Sequence, residues 1–369
     1  MNRRTFLAAG LLSLSTTRLW SAVQSQQWDQ AVAVLEEATH SKQVDAAVLH
    51  VVHQGAAFTQ HFGSATSGDA MFLLGSISKP INMTALMALF DEGKFQLDDH
   101  VQKYLPGFTG EGREQVTIRN LLTHVSGLPD QLPNNNEIRR EQAPLTRFVE
   151  EAIKSPLGFS PGTKYQYSSM GILLAASIAE ILGGTSILTL VEKNVFKPLG
   201  MQHSAQGLGS FQLTDFVRCQ MEGAAPESGS GDPTAKNWDW NSLYWRKLGA
   251  PWGGTHASAP DIGRFLAEFL HRKGQAVRPE TAELMTRNHN PPGLTSRGLG
   301  FVAGLGAGSP GCSDQTFGHT GSTGTLCWAD PAKDTICVVL TSLPGRAVSP
   351  HPRELAARSV ANDLHRQSK

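Results

Sequence analysis

The stretch Phe72–Pro80 reads FLLGSISKP, and the interpretation of the whole chain turns on it. It contains the sequence's only Ser-x-x-Lys spacing, Ser76 and Lys79. A serine hydroxyl is a weak nucleophile without a base beside it. Three residues is nearly one helical turn, so the Lys79 amine can share a helix face with the Ser76 oxygen. Pro80 is tolerated only in a first helical turn, which predicts a helix starting at about Ser76. The free N–H groups and positive dipole end at such a terminus stabilise developing negative charge. Gly75 permits a tight turn out of a preceding strand. A capping serine followed by a surface lysine fits the same residues.

Upstream of it, Trp28–His40 has apolar residues at helical spacing (Trp28, Ala31, Val32, Leu35, Ala38). Asp45–His53 and Ala56–Phe62 read as strands joined by a turn at Gln54-Gly55. His50 and His53 fall on opposite faces of the first strand and make a poor metal pair. Helices are predicted from Ser76 to about Asp91 and over Val116–Leu122, Thr146–Lys154, Gly171–Leu182, Asp261–Phe269 and Pro279–Arg287. Residues 203–250 are rich in Gly, Ser and Pro and read as a long loop or domain-edge elaboration. Trp238, Trp240, Tyr244 and Trp245 cluster near its end, either as packing or as the wall of a substrate pocket. After Leu299 the pattern turns to strands, Leu326–Ala329 and Thr335–Leu340, and an amphipathic helix at Pro352–His365 closes the chain.

Strands at both ends with helices between predict an α/β protein of the α+β type. An antiparallel sheet built from the two termini is covered by terminal helices, with a helical domain inserted. The expected division is residues 26–75 and 290–369 for the sheet domain. Residues 76–289, including the 203–250 loop, form the mainly helical one. With 369 residues, about two domains are expected.

Residues 1–25 read as an export signal. Asn2-Arg3-Arg4-Thr5-Phe6-Leu7 resembles the bacterial twin-arginine signal, and Leu7–Leu14 is too short an apolar run to span a bilayer. A periplasmic or secreted location follows. No later run reaches about 18 apolar residues, so no stable membrane span is expected. Lys plus Arg equals Asp plus Glu, 32 each, which gives no reason to expect a nucleic-acid partner. The four cysteines could pair in an oxidising compartment, Cys327 with Cys337 across a hairpin for example, although buried free thiols are the favoured reading.

Two further stretches bear on chemistry. Ser160–Gly171 (SPGTKYQYSSMG) presents Tyr167 where a loop meets a helix, and a tyrosine there can exchange protons with a reacting group. Phe317–Gly324 (FGHTGSTG) has glycines that let backbone approach a ligand closely. In this order, the three stretches resemble the serine hydrolases of the class C β-lactamase and penicillin-binding-protein group, whose pattern is Ser-x-x-Lys, Tyr-x-Asn, then Lys-Thr-Gly or His-Thr-Gly. Leu121–Leu128, Pro161-Gly162, Pro198–Met201, Gly253-Gly254 and Asp261–Phe265 also look like landmarks of that group, so the resemblance spans about residues 28–345.

The resemblance implies a β-lactamase/transpeptidase-like fold, no metal or organic cofactor, and a small ester, amide or peptidoglycan-like substrate. It makes Ser76 the nucleophile and Lys79 or Tyr167 the base, in an order the residues leave open. It puts the oxyanion on the N–H groups of Ser76 and Ser322, with His319, Thr320, Gly321 and Ser169 along the substrate. Two positions depart from the pattern. Ser169 replaces an asparagine that would contact the substrate's acylamide, which argues against strong β-lactamase activity. His319 takes the Lys-Thr-Gly lysine position, and with a reference pKa of about 6.5 it is expected to be partly charged at neutral pH. The leading expectation is an exported serine hydrolase: esterase, D,D-carboxypeptidase or β-lactamase-like. The alternative is an acyl-binding sensor without turnover, or an inactive scaffold.

Overall fold

The computed structural model describes residues 27–367; the export-like segment lies outside them. The first helix, Asp29–His40, leads into β1 (Ala46–His53) and β2 (Ala56–Gly63). Their hairpin turns at Gln54 and Gly55, both at positive φ (50° and 79°), which matches the right-handed twist of the strands. β1 also pairs with β9 (Thr335–Thr341), Ala47 opposite Thr341, so the two ends of the chain share one sheet. With β6 (Val302–Ala303), β7 (Phe317–Gly321) and β8 (Thr325–Asp330), the antiparallel order is β2-β1-β9-β8-β7-β6.

Both faces of this sheet are covered. Asp29–His40 and Pro352–Gln367 lie on one, where Leu35, Val360 and Leu364 pack with Leu49, Val51, Trp328 and Val339. The helix Ala259–Leu270 lies on the other, with Ile262, Phe265 and Phe269 in one core with Val48, Val338 and Leu340. Every residue of β9 is therefore buried, and the strand reads as an unbroken apolar run rather than an alternation. The expected sheet and its terminal helices are present.

The strand alternation also decides the cysteines. Cys337 sits opposite Trp328, one residue out of step with Cys327. Cys327 faces the core under Ala259–Leu270 and Cys337 the core under the terminal helices. The suggested cross-hairpin disulfide is ruled out by this register. All four cysteines are free; three are buried and Cys312 is half-buried.

The middle of the chain packs around the helix Ser169–Gly183, in one core with the inner face of the sheet. Its residues from Ser169 to Ala176 are all buried, as its all-round apolar sequence requires. Ser78–Asp91, Ile118–Leu122 and Leu145–Lys154 pack against it. Two expectations need correction here. The α-helix expected from Ser76 begins at Ser78, and Gly75–Ile77 forms a single 3-10 turn. Residues 203–250 are not all loop: β4 (Ser204–Gln206) joins β3 (Phe72–Leu73) and β5 (Thr255–Ala257) in a small sheet of order β3-β5-β4. Strands of two or three residues are too short to show a period in sequence.

Candidate active site

Ser76 lies in the 3-10 turn, so Lys79 follows on the first turn of the helix. The Lys79 Nζ is 2.9 Å from Ser76 Oγ and 3.1 Å from the Trp252 carbonyl oxygen. Neither Ser76 nor its neighbours make a side-chain cap, so the capping alternative does not describe this serine. Lys79 is fully buried, and desolvation lowers its amine from the usual 10.5 to about 7. The Arg297 guanidinium pushes in the same direction and the Asp130 carboxylate opposes it. An amine with that pKa, touching a hydroxyl, is partly neutral at pH 7 and can take its proton.

Tyr167 completes the cluster. Its ring centroid is 4.7 Å from Lys79 Nζ, and its hydroxyl shares a hydrogen bond with Ser76. Burial raises the phenol well above its usual value, so it stays protonated at neutral pH. The tyrosine is placed by the start of the buried helix. Ser168 accepts from the Gly171 N–H as its N-cap, and its own hydroxyl donates to the Pro129 carbonyl. Ser169, next along, donates from both N–H and hydroxyl to Asp130.

The stretch after His319 is stapled to the strand before Ser76. Thr323 Oγ1 donates to the Leu73 carbonyl and Thr325 Oγ1 to the Leu74 carbonyl, both at 2.6 Å. Gly75 has φ +56°, and a β-carbon there would lie 3.0 Å from the Ser322 nitrogen. One on Gly321 would overlap the Leu74 carbonyl oxygen. Only glycine at both positions lets the two segments meet, and this brings the Ser322 N–H alongside the turn that carries Ser76.

His319 corrects an expectation. It is 4 % exposed, its Nδ1 contacts the Thr320 carbonyl, and its Nε2 has no partner among the described residues. Desolvation, with Arg297 and Lys79 nearby, holds its pKa well below 6.5, so it is neutral at pH 7. The fixed cation in this corner is Arg297, which the sequence reading missed. Its Nη2 is 2.5 Å from the Tyr165 hydroxyl, and its guanidinium lies 5.3 Å from the Tyr167 ring centre. Its Nε and Nη1 are unpartnered among the described residues. A lone Arg before Gly-Leu-Gly carries no motif that marks it. Thr320 is the exposed member of its strand.

A cavity of about 140 Å³ opens at Ser76 between Tyr167, Ser169, Asp130, Ser322 and Trp252. Trp240 and Trp245 form another wall, so two of the clustered aromatics do line a pocket. Tyr244 instead bonds the Ala143 carbonyl and Trp238 packs on Arg139. A larger surface hollow, about 920 Å³, lies beside Met201–Gln212 and holds none of the Ser76, Lys79 and Tyr167 groups. Among the described residues no His, Cys, Asp and Glu cluster is arranged to hold a metal ion.

A serine, a buried lysine and a tyrosine around one cleft, on an antiparallel sheet with an inserted helical body, define a serine-hydrolase class. A profile of the Beta-lactamase family matches residues 31–362, and the chain belongs to that family. It is a serine hydrolase of the β-lactamase-related group, acting on amide or ester bonds. It is 28 % identical over 324 residues to the "Putative D-alanyl-D-alanine carboxypeptidase" of Salmonella enteritidis PT4, covering 80 % of this chain and 74 % of that one. A penicillin-binding protein homologue from Caulobacter crescentus has the same fold, with a TM-score of 0.75 at 20 % identity over 92 % of this chain and 97 % of that one. So does the D-amino acid amidase from Ochrobactrum anthropi SV3, with a TM-score of 0.74 at 20 % identity over 93 % and 100 %.

Proposed function

We propose that this protein hydrolyses a small amide or ester through an acyl-enzyme on Ser76, with Lys79 as the first base. The observation that carries the reading is the fully buried Lys79 amine, 2.9 Å from Ser76 Oγ, where loss of water lowers its pKa to about 7. Ser76 attacks the substrate carbonyl as Lys79 takes its proton. The Tyr167 phenol then gives a proton to the leaving amine or alcohol and recovers one from Lys79. Water hydrolyses the ester on Ser76 by the reverse relay, which restores the serine. Tyr167 suits the donor role because its elevated pKa keeps it protonated. The N–H groups of Ser76 and Ser322 hold the oxyanion, and donors of this kind contribute roughly 3–4 kcal/mol each.

The relatives named as a carboxypeptidase and an amidase favour a small peptide or amide, of peptidoglycan-like chemistry, over a macromolecular substrate. The twin-arginine-like leader favours work outside the cytoplasm.

Labelling by a fluorophosphonate tests the nucleophile: wild type reacts and Ser76→Ala, still folded, does not. Continued product release from a nitrophenyl ester beyond one equivalent supports hydrolysis. A stoichiometric burst followed by silence would favour the sensor.

A further inference from the structure

Arg139 sits in the wall of the Ser76 cavity, on the helix Asn135–Arg140. It is 2 % exposed. Its Nη1 donates to the Glu227 backbone carbonyl, but its Nε and Nη2 have no hydrogen-bond partner among the described residues. No described carboxylate forms an ion pair with it; Glu227 and Asp239 act on it only through space. The Trp245 ring lies 3.6 Å from the guanidinium carbon and the Trp238 ring 5.9 Å. Aromatic faces stabilise a cation but offer no acceptor for its N–H groups. Burial lowers its pKa to about 9, so it remains cationic at neutral pH. A buried charge with idle donors is costly, and such groups normally have partners.

We propose that Arg139 determines specificity by binding a carboxylate carried by the substrate within the Ser76 cavity. This rests on the Ser76 acyl-enzyme reading above. The two idle N–H groups belong to one planar fork, the geometry that meets a carboxylate with paired, charge-assisted hydrogen bonds. The cavity, about 140 Å³, is close to the roughly 150 Å³ void that takes a benzene, so it holds about six non-hydrogen atoms. A short chain ending in a carboxylate fits that space, and the substrate class is a monoester or monoamide of a small dicarboxylic acid, or a peptide with a comparable side-chain carboxylate. Trp240, Trp245 and Trp252 cover the methylene part of such a chain. Asp130 and Glu227 also line the cavity, Glu227 with its backbone carbonyl on Arg139. Asp130 accepts twice from Ser169, so it is already engaged.

The test compares three 4-nitrophenyl esters of matched length: the glutarate half-ester, the valerate and the 4-aminobutyrate. The rate with Ser76→Ala is subtracted from each. Wild type is expected to favour the glutarate over the valerate by about tenfold or more in kcat/KM. Arg139→Gln should bring that ratio close to one, and Arg139→Lys should keep part of it. A residue that only braces the 226–228 segment would lower all three esters together and leave the ratio intact, which would overturn the proposal. So would a wild-type preference for the valerate or the amine. Should Arg139→Gln fail to fold, Arg139→Lys takes its place, and an undiminished glutarate-to-valerate ratio there, or a wild type that free glutarate does not inhibit, overturns the proposal. Should no ester react at Ser76, the acyl-enzyme reading fails, and calorimetric binding of glutarate to the Ser76→Ala protein then tests Arg139 by itself; no binding there overturns the proposal.

Discussion

Ser169 donates twice to a single carboxylate oxygen of Asp130, from its backbone N–H at 2.9 Å and from its hydroxyl at 2.6 Å. A hydroxyl has one proton, so none is left for a substrate amide. An asparagine at this position has two N–H donors and can serve both. Turnover of a chromogenic cephalosporin should therefore be slow beside that of a short-chain ester. Ser169→Asn should raise the cephalosporin-to-ester ratio by about tenfold. An unchanged ratio would show that the missing amide is not what limits β-lactam recognition.

Lys79 works as a base only when neutral, so kcat/KM should rise with pH through about 7. The neighbours give the sign of two shifts. The Asp130 charge favours the protonated amine, so Asp130→Asn should move the acid limb to lower pH. The Arg297 charge disfavours it, so Arg297→Met should move the limb to higher pH. Shifts in the same direction would mean that the limb reports some other group.

The same pKa bears on stability. Folding lowers the Lys79 pKa from 10.5 to about 7, so between these values the unfolded chain binds more protons than the folded one. Stability from this group must then rise with pH across that window and be flat below it. Chemical denaturation at pH 7 and pH 10 should show the wild type gaining on Lys79→Met by several kcal/mol, on the order of 1.4 per pKa unit. A constant difference would refute the depressed pKa.

Gly75→Ala combines a φ of +56° with a β-carbon 3.0 Å from the Ser322 nitrogen. A loss of about 1–2 kcal/mol in stability is expected from the backbone alone. Since the contact separates the Ser76 turn from Ser322, kcat should fall by about a hundredfold or more. Unfolding curves and single-turnover rates separate the two effects.

His319 is neutral and buried beside Arg297 and Lys79. Mildly acidic pH is therefore not expected to charge His319 for a carboxylate-bearing substrate. His319→Lys would put a third cation in that corner, and a loss of about 3 kcal/mol or more is expected. A variant as stable as wild type, by thermal unfolding, would show that the corner has room for its charge.

Much of this protein is legible in the chain. The 3.6-residue stripe of Trp28–His40, the apolar strands β1 and β9, and the all-round apolar helix at Ser169–Gly183 declare themselves because burial selects residue types at fixed periods. Ser76 and Lys79 are legible because their pairing is local, one helical turn apart. β4 and β3 are not, since their few residues form strands only because β5 lies between them. The cysteines mislead for a related reason: sequence spacing suggests a hairpin pair, and a one-residue register sends the two thiols to opposite faces.

The family, the antiparallel sheet with its terminal helices, and the order of the three motifs can all be read from the residues alone. Their charges emerge only in the folded chain: a Lys79 amine lowered to about 7, a neutral His319, and Arg297 and Arg139 beside the cleft. The reason is physical. Residue type and period are properties of a segment, whereas a pKa depends on how much water and which charges surround the group. Those neighbours come from segments scattered along the chain, and only folding brings them together.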